Sequence, residues 1–196
     1  MQYVCFFILS YLIGSIPFSY LIARYWKGID IRQVGSGNVG TTNVWRNAGR
    51  TAGVLAFACD FGKGILVVLL AKCFGGPALA ALSAAAVLVG HSWPVFLGFR
   101  GGKMVAAGVG VVVAVNLLIG AITAAVWLIV LFFTRYVSLA SIIALAGVPL
   151  LMLLFHLEPP YILLGVFLAV FTAVKHISNI GRLLAGTEPK IKVGSK

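Results

Sequence analysis

Negative charge is scarce in this chain. Asp30, Asp60, Glu158 and Glu188 are its only carboxylates. They lie far apart with no pair at helical spacing, which argues against a two-metal site and leaves no metal centre to expect. Cysteine is scarcer still. Cys5, Cys59 and Cys73 show no metal-like spacing and sit in or beside apolar runs, so they read as small packing residues rather than ligands or disulfide partners. Strand-like alternation, heptads and internal repeats are also missing, which removes barrels, coiled coils and solenoids from consideration.

What remains is mostly apolar. Hydrophobic residues make up 61% of the chain, charged ones only 10%, and the mean hydropathy is +1.09. Apolar runs long enough to cross a bilayer recur throughout, so the sequence reads as an all-α, polytopic membrane helix bundle. Residues 1–196 form a single integral-membrane domain, because backbone polar groups in lipid must be satisfied within each helix. The first run, "YVCFFILSYLIGSIPFSYLIA", is longer than a signal-peptide core and has no basic stretch before it. It is expected to be a retained span.

Apolar segments fall at about 3–23, 52–71, 78–97, 104–133, 137–155 and 160–174. The fourth would make a helix of about 45 Å against a hydrocarbon core of about 30 Å. It is either one tilted span or two short ones broken near "NLLIG", Asn116 to Gly120. Cytoplasmic loops carry the excess of Lys and Arg, and that rule chooses. With seven spans and the N-terminus outside, one side collects Arg24, Lys27, Arg32, Arg46, Arg50, Arg100, Lys103, Arg135, Lys175, Arg182, Lys190, Lys192 and Lys196. Lys72 is left outside and Lys63 within a span. Six spans would place the first loop and the basic C-terminal cluster on opposite sides. The expectation is therefore about seven spans, a cytoplasmic C-terminus, and two middle helices that are short and jointly buried.

A net charge of +11 suits either orientation and anionic headgroups or an anionic substrate. The positions of the basic residues bear on this, since several lie within glycine- and hydroxyl-rich loops. "VGSGNVGTTNVWRNAG", residues 34–49, formally contains the G-x-G-x-x-G of a dinucleotide fold. No hydrophobic strand precedes it, and the next long helix is membrane-spanning, so that reading fails. The local physics survives: glycines expose backbone N–H groups to an anion, "TTN" can cap the next helix, and Arg46 offers a bidentate fork.

A second stretch, "GHSWPVFLGFRGGKMVAAG", Gly90 to Gly108, places Lys103 at the start of a helix, where donors and dipole favour an anion. It is not a P-loop, since Met104 follows the lysine and the glycine spacing differs. A third is split between "RYVSLASI" and "KHISNIGRLLAGTEPKI". In it Ser138 and Ser141 share one helix face, as do His176 and Asn179. Each stretch alone is also compatible with a connector, an anchor or ordinary packing. On the seven-span topology all three face one side and imply a shared anion pocket. Asp60 and Lys63, three apart within a span, either pair structurally or help to hold the first loop.

The ordered stretches "GSGNVGTTNVWR", "GHSWPVFLGFRGGKMVA" and "HISNIGRLLAGTE", together with "DFGKG" and "RYVSLASI", resemble the signature motifs of the bacterial acyl-phosphate-dependent glycerol-3-phosphate acyltransferases, the PlsY family. The resemblance covers nearly the whole chain. It implies a multi-pass enzyme of the bacterial plasma (inner) membrane, its active site facing the cytoplasm. Such an enzyme moves a fatty acyl group from acyl phosphate to the 1-hydroxyl of glycerol 3-phosphate. The products would be lysophosphatidic acid and phosphate.

Carried onto matching positions, the active-site residues would be Ser36, Arg46, Lys103, Ser141, His176 and Asn179. Gly37, Asn38, Thr42, Asn43, His91, Gly101, Gly102 and Ser138 would shape the substrate site. The two substrates and membrane lipids are the implied partners; no cofactor, metal or nucleic acid is implied. Two positions depart from the usual pattern: Met104 stands where glycine is common, and Ala107 where threonine is usual. Both bear on helix geometry or the acyl end and leave the charged residues in place. A transporter for a phosphorylated anion is the competing class, favoured by short, broken middle helices.

Overall fold

The computed structural model describes residues 1–191, so Lys192 and Lys196 of the expected basic cluster lie outside the described residues. Those described contain helices and no strand. Helix α1 is Gln2–Ser15. The first apolar run does not continue unbroken to residue 23, because Pro17 cannot donate into a helix. The chain is interrupted there and resumes as α2, Phe18–Lys27, an amphipathic helix closed by Gly28 in the left-handed conformation. Helix α3, Thr41–Ala48, follows the glycine-rich loop.

Arg50–Ser92, α4, is two helices joined at Gly75 and Gly76, whose backbone angles are not helical, with Pro77 next. The chain reverses here. Gly14 of α1 meets Lys63 from the first half, through the hydrogen bond to its carbonyl, and Val87 from the second. Gly14 and Gly90 allow this approach, since a Cβ on either would run into backbone of the facing helix, at Val87 and Tyr11.

A single 3-10 turn, Val95–Leu97, leads towards α5, Val105–Val115. The break expected near Asn116 is there. Asn116 is extended, and its side chain caps α6, Leu117–Thr134, by accepting from the Ile119 amide at 3.0 Å. The two middle helices are not alike, however. Helix α5 is short, and Ala107, Val111 and Val112 are wholly enclosed. Helix α6 has 18 residues, nearly a full span, and turns Leu128, Ile129, Phe132 and Phe133 outwards. Joint burial was the wrong expectation: the two are equally apolar, and only their neighbours distinguish them.

The chain ends with α7, Val137–Ala146, and α8, Val148–Leu154, nearly continuous, then α9, Pro159–Lys175, and α10, Ile177–Leu184, bent by 60° from α9. Gln2–Lys27, Arg50–Leu97, Leu117–Thr134 and Val137–Leu154 are long and apolar enough to cross a membrane, and the bent α9–α10 pair would make a fifth. The main core gathers Val68, Leu79, Leu88, Val111, Met152 and Leu168. A smaller one, Ala23, Ile31, Val39, Val44, Ala48, Ala52 and Ala56, lies beneath the glycine-rich loop and fixes it to the bundle end. The three cysteines are free thiols; Cys5 and Cys73 are exposed, so packing in the core is not what they do.

Candidate active site

Each of the three polar stretches is shaped by its own short-range chemistry before it meets the others. In the first, Asn43 is the organising side chain. Its amide donates to the carbonyls of Ile31, Val34 and Asn38, and its oxygen accepts from the Ser36 amide at 3.2 Å. The loop is therefore wound around one buried residue. Helix α3 begins after Gly40 with no side-chain cap, so "TTN" does not supply the N-cap expected of it. The loop's outer turn is pinned by Asp30, which takes the Arg32 guanidinium at 2.6 Å. The Arg32 side-chain and backbone hydrogen bonds hold the Asp30 carboxyl down at about 2.

In the second stretch the chain folds back on the end of α4. The Gly101 and Gly102 amides donate to the carbonyls of Ser92 and His91, at 3.2 and 3.0 Å. Lys103 follows, and Met104, fully buried with φ 67°, starts α5. A left-handed residue explains why glycine suits this position; methionine there stores about 1–2 kcal/mol of strain. In the third stretch Glu188 gathers Ser138 Oγ (2.6 Å), Asn179 Nδ2 (2.6 Å) and Arg182 Nε (2.7 Å). Burial works to raise its carboxyl; those three hydrogen bonds and the Arg182 charge prevail and hold it below the ordinary glutamate value.

The stretches then converge. Lys103 Nζ donates to Asn179 Oδ1, joining the second to the third. Arg46 Nη2 donates to the Pro189 carbonyl at 3.3 Å, joining the first to the chain after α10. Between them lies a cavity of about 1090 Å³. Ser36, Gly37, Asn38, Asn43, Arg46, Gly101 and Lys103 line it, as the sequence led one to expect. So do Arg32, Arg100, Lys175 and Arg182, which the sequence reading counted only as charge. Burial, with the Arg182 and Lys175 charges, pushes the Lys103 ammonium below its ordinary value against the opposing pull of Glu188.

The other expected residues stand outside this wall. Asn179 reaches the cavity through Lys103, and Ser138 only through Glu188 and Asn179. Ser141 donates to the Val137 carbonyl and accepts from Trp127 Nε1. His176 Nδ1 lies 2.8 Å from the Thr172 carbonyl. A carbonyl only accepts, so Nδ1 carries the proton and Nε2 of the neutral ring is an acceptor. Thr42 is half-buried in the first turn of α3. His91 and Gly102 are buried behind the turn that carries Lys103. Glu188 and Arg182 were missed as a pair; the signal was one acidic residue in an otherwise basic stretch. No group of three or more potential metal ligands occurs among the described residues.

Known proteins resemble this chain over nearly its whole length. A model of the family described as "Glycerol-3-phosphate acyltransferase" matches residues 4–186. A glycerol-3-phosphate acyltransferase of Desulforudis audaxviator is 51% identical over 182 residues, covering 93% of this chain and 92% of its own. One of Desulforamulus reducens is 47% identical over 188 residues, covering 95% and 93%. Crystal structures of PlsY, an integral membrane glycerol 3-phosphate acyltransferase, superpose with TM-scores of 0.94 for its glycerol 3-phosphate form and 0.92 for its lysophosphatidic acid form. They are 39% and 38% identical, and each comparison covers 98% of this chain and 96% of the other. The fold is that of an integral membrane acyltransferase. This chain belongs to the glycerol-3-phosphate acyltransferase family.

Proposed function

We propose that this protein transfers a fatty acyl group from an acyl phosphate to the 1-hydroxyl of sn-glycerol 3-phosphate, releasing lysophosphatidic acid and inorganic phosphate. The observation that carries this reading is the cation-lined cavity at one end of an apolar bundle, with Arg46 and Lys103 on its wall. Both substrates are anions, and one of them brings a long chain that belongs in lipid. The relatives' names and the two PlsY structures point to the same acceptor and product.

An acyl phosphate is already activated. The hydroxyl oxygen of glycerol 3-phosphate attacks the acyl carbon directly, the new ester bond forms, and the bond to phosphate breaks. Arg46 and Lys103 neutralise the phosphates, Ser36 orients groups and stabilises the oxyanion, and Asn179 acts through Lys103, which it holds. The hydroxyl proton goes to the departing phosphate; His176 Nε2, an acceptor behind the cavity wall, takes it instead where bound substrate opens that wall. Ser141 and Ser138 hold the neighbouring helix. The chain offers no G-x-S-x-G elbow and no His with Asp five residues on, the devices of other acyl-transfer enzymes.

The protein would cross the bacterial inner membrane seven times, N-terminus outside, with the cavity and C-terminus in the cytoplasm. The gathering of Lys and Arg at the cavity end supports that orientation. The deciding assay uses purified protein in detergent micelles with glycerol 3-phosphate and palmitoyl phosphate. Equimolar lysophosphatidic acid and phosphate are expected, and none from palmitoyl-CoA. A covalent acyl-enzyme trapped during turnover, or turnover restricted to the thioester, would overturn the mechanism. A transporter would show no turnover, since micelles have no compartments.

A further inference from the structure

Behind the cavity wall lies a second set of ionisable side chains, none of which lines the cavity. Asp60, Lys63 and His91 are all buried. Asp60 accepts from Ser19 Oγ at 2.8 Å, pairs with Lys63 Nζ at 2.8 Å, and faces His91 Nδ1 at 3.5 Å. Lys63 is fully engaged, since it also donates to the carbonyls of Gly14 and Ile16, where α1 ends. His91 is different. One edge of its ring meets Asp60, and the other lies against Gly102, where an added Cβ would collide with Nε2. Its own carbonyl accepts from the Gly102 amide, and the Val39 carbonyl of the first loop closes on the same glycine.

The imidazole is thus a wedge between a fixed carboxylate and the backbone one residue before Lys103. Ionic groups inside an apolar bundle are expensive and are retained where they hold or do something. Lys63 alone accounts for the end of α1; it does not account for His91. We infer that His91, oriented by Asp60, is a positioning residue that sets the Gly101–Gly102 turn and hence the aim of Lys103 at glycerol 3-phosphate. This rests on the function proposed above. Catalysis is sensitive to such placement, because displacement of a binding group by about 1 Å can cost about a hundredfold in rate.

The test compares His91→Leu, which keeps bulk but loses the donor to Asp60, with His91→Gln, which keeps both, in micelles with palmitoyl phosphate as donor. A positioning role predicts a rise of about tenfold or more in KM for glycerol 3-phosphate in His91→Leu. It also predicts kcat within about threefold of wild type, a retained thermal transition, and recovery of KM in His91→Gln. Asp60→Asn should add nothing further to KM in the His91→Leu background, while its loss of the Lys63 pair lowers the thermal transition. If His91→Leu does not accumulate, His91→Asn, whose donor is drawn back from Asp60, should show the raised KM. A wild-type KM in whichever of the two folds, or kcat and KM worsening together with the thermal transition, overturns the inference. Absence of turnover by the wild type overturns the proposed function and this inference with it.

Discussion

Lys103 and Asn179, 76 residues apart in sequence, meet as donor and acceptor at the cavity wall, and the same Asn179 gives its amide to Glu188. The ammonium on the cavity wall is thereby held on a polar chain ending in a carboxylate, with Arg182 close by.

That relationship predicts an alkaline limb. Burial and the Arg182 charge depress Lys103, so its cationic form, needed to grip phosphate, is present below its shifted pKa and lost as pH rises through it. The fall in kcat/KM should begin below the ordinary lysine value of 10.5. Removing a depressing cation with Arg182→Gln should move the limb to higher pH. A pH–rate profile of both proteins checks this, and a limb that moves down in the variant contradicts it.

Arg46 reaches across the cavity mouth to the Pro189 carbonyl, while Arg50 is exposed at the start of α4 and does not line the cavity. Arg46→Lys keeps the charge and loses the planar fork. Activity should fall at least tenfold, equivalent to about 1.4 kcal/mol, with Arg50→Lys close to wild type. Rates at subsaturating substrate measure the difference, and membrane insertion should survive both changes.

Asn43 satisfies three carbonyls and one amide from a buried position. Asn43→Ala should lower stability by about 2–3 kcal/mol through unpaired buried groups, and it should abolish most activity because Ser36 loses its anchor. Asn43→Asp should be no better, since it turns an acceptor towards three acceptors. Thermal unfolding in micelles, run beside turnover, reads both effects.

Gly90→Ala drives a methyl into the Tyr11 backbone and should destabilise by about 1–3 kcal/mol. Gly62→Ala, on the first of the two helices of α4 with nothing near its Cβ position, should be neutral or slightly stabilising. Unfolding midpoints of the pair make the comparison.

Much of this was legible in the chain. The break at Asn116 showed because an amide side chain interrupts a run too long for one crossing, and the Gly75–Gly76–Pro77 turn lies where hydropathy dips. The three motif loops and their basic residues were readable because glycine, hydroxyl and charge stand out in an apolar sequence. Glu188 was not readable as a hub. Its partner Ser138 is 50 residues away, and no local period announces so distant a pairing. Nor was the difference between α5 and α6 readable, since enclosure of one by the others is decided by tertiary packing alone. His91 was assigned to substrate by its place in a motif, whereas its contacts are with Asp60 and backbone.

The turn at Gly75 and Gly76 lies beside the N-terminus, where Gln2 Nε2 donates to the Phe74 carbonyl. Lys72 of the same end donates to the carbonyls of Ala114 and Val115, just before the single residue Asn116. That end of the molecule is stitched with turns a few residues long. A protease, an antibody or a fused reporter needs a loop to seize or to be inserted into, and here it finds almost none. Handles of that kind belong at the opposite end, in the longer connections around the cavity, where they will compete with the enzyme's own substrates for room.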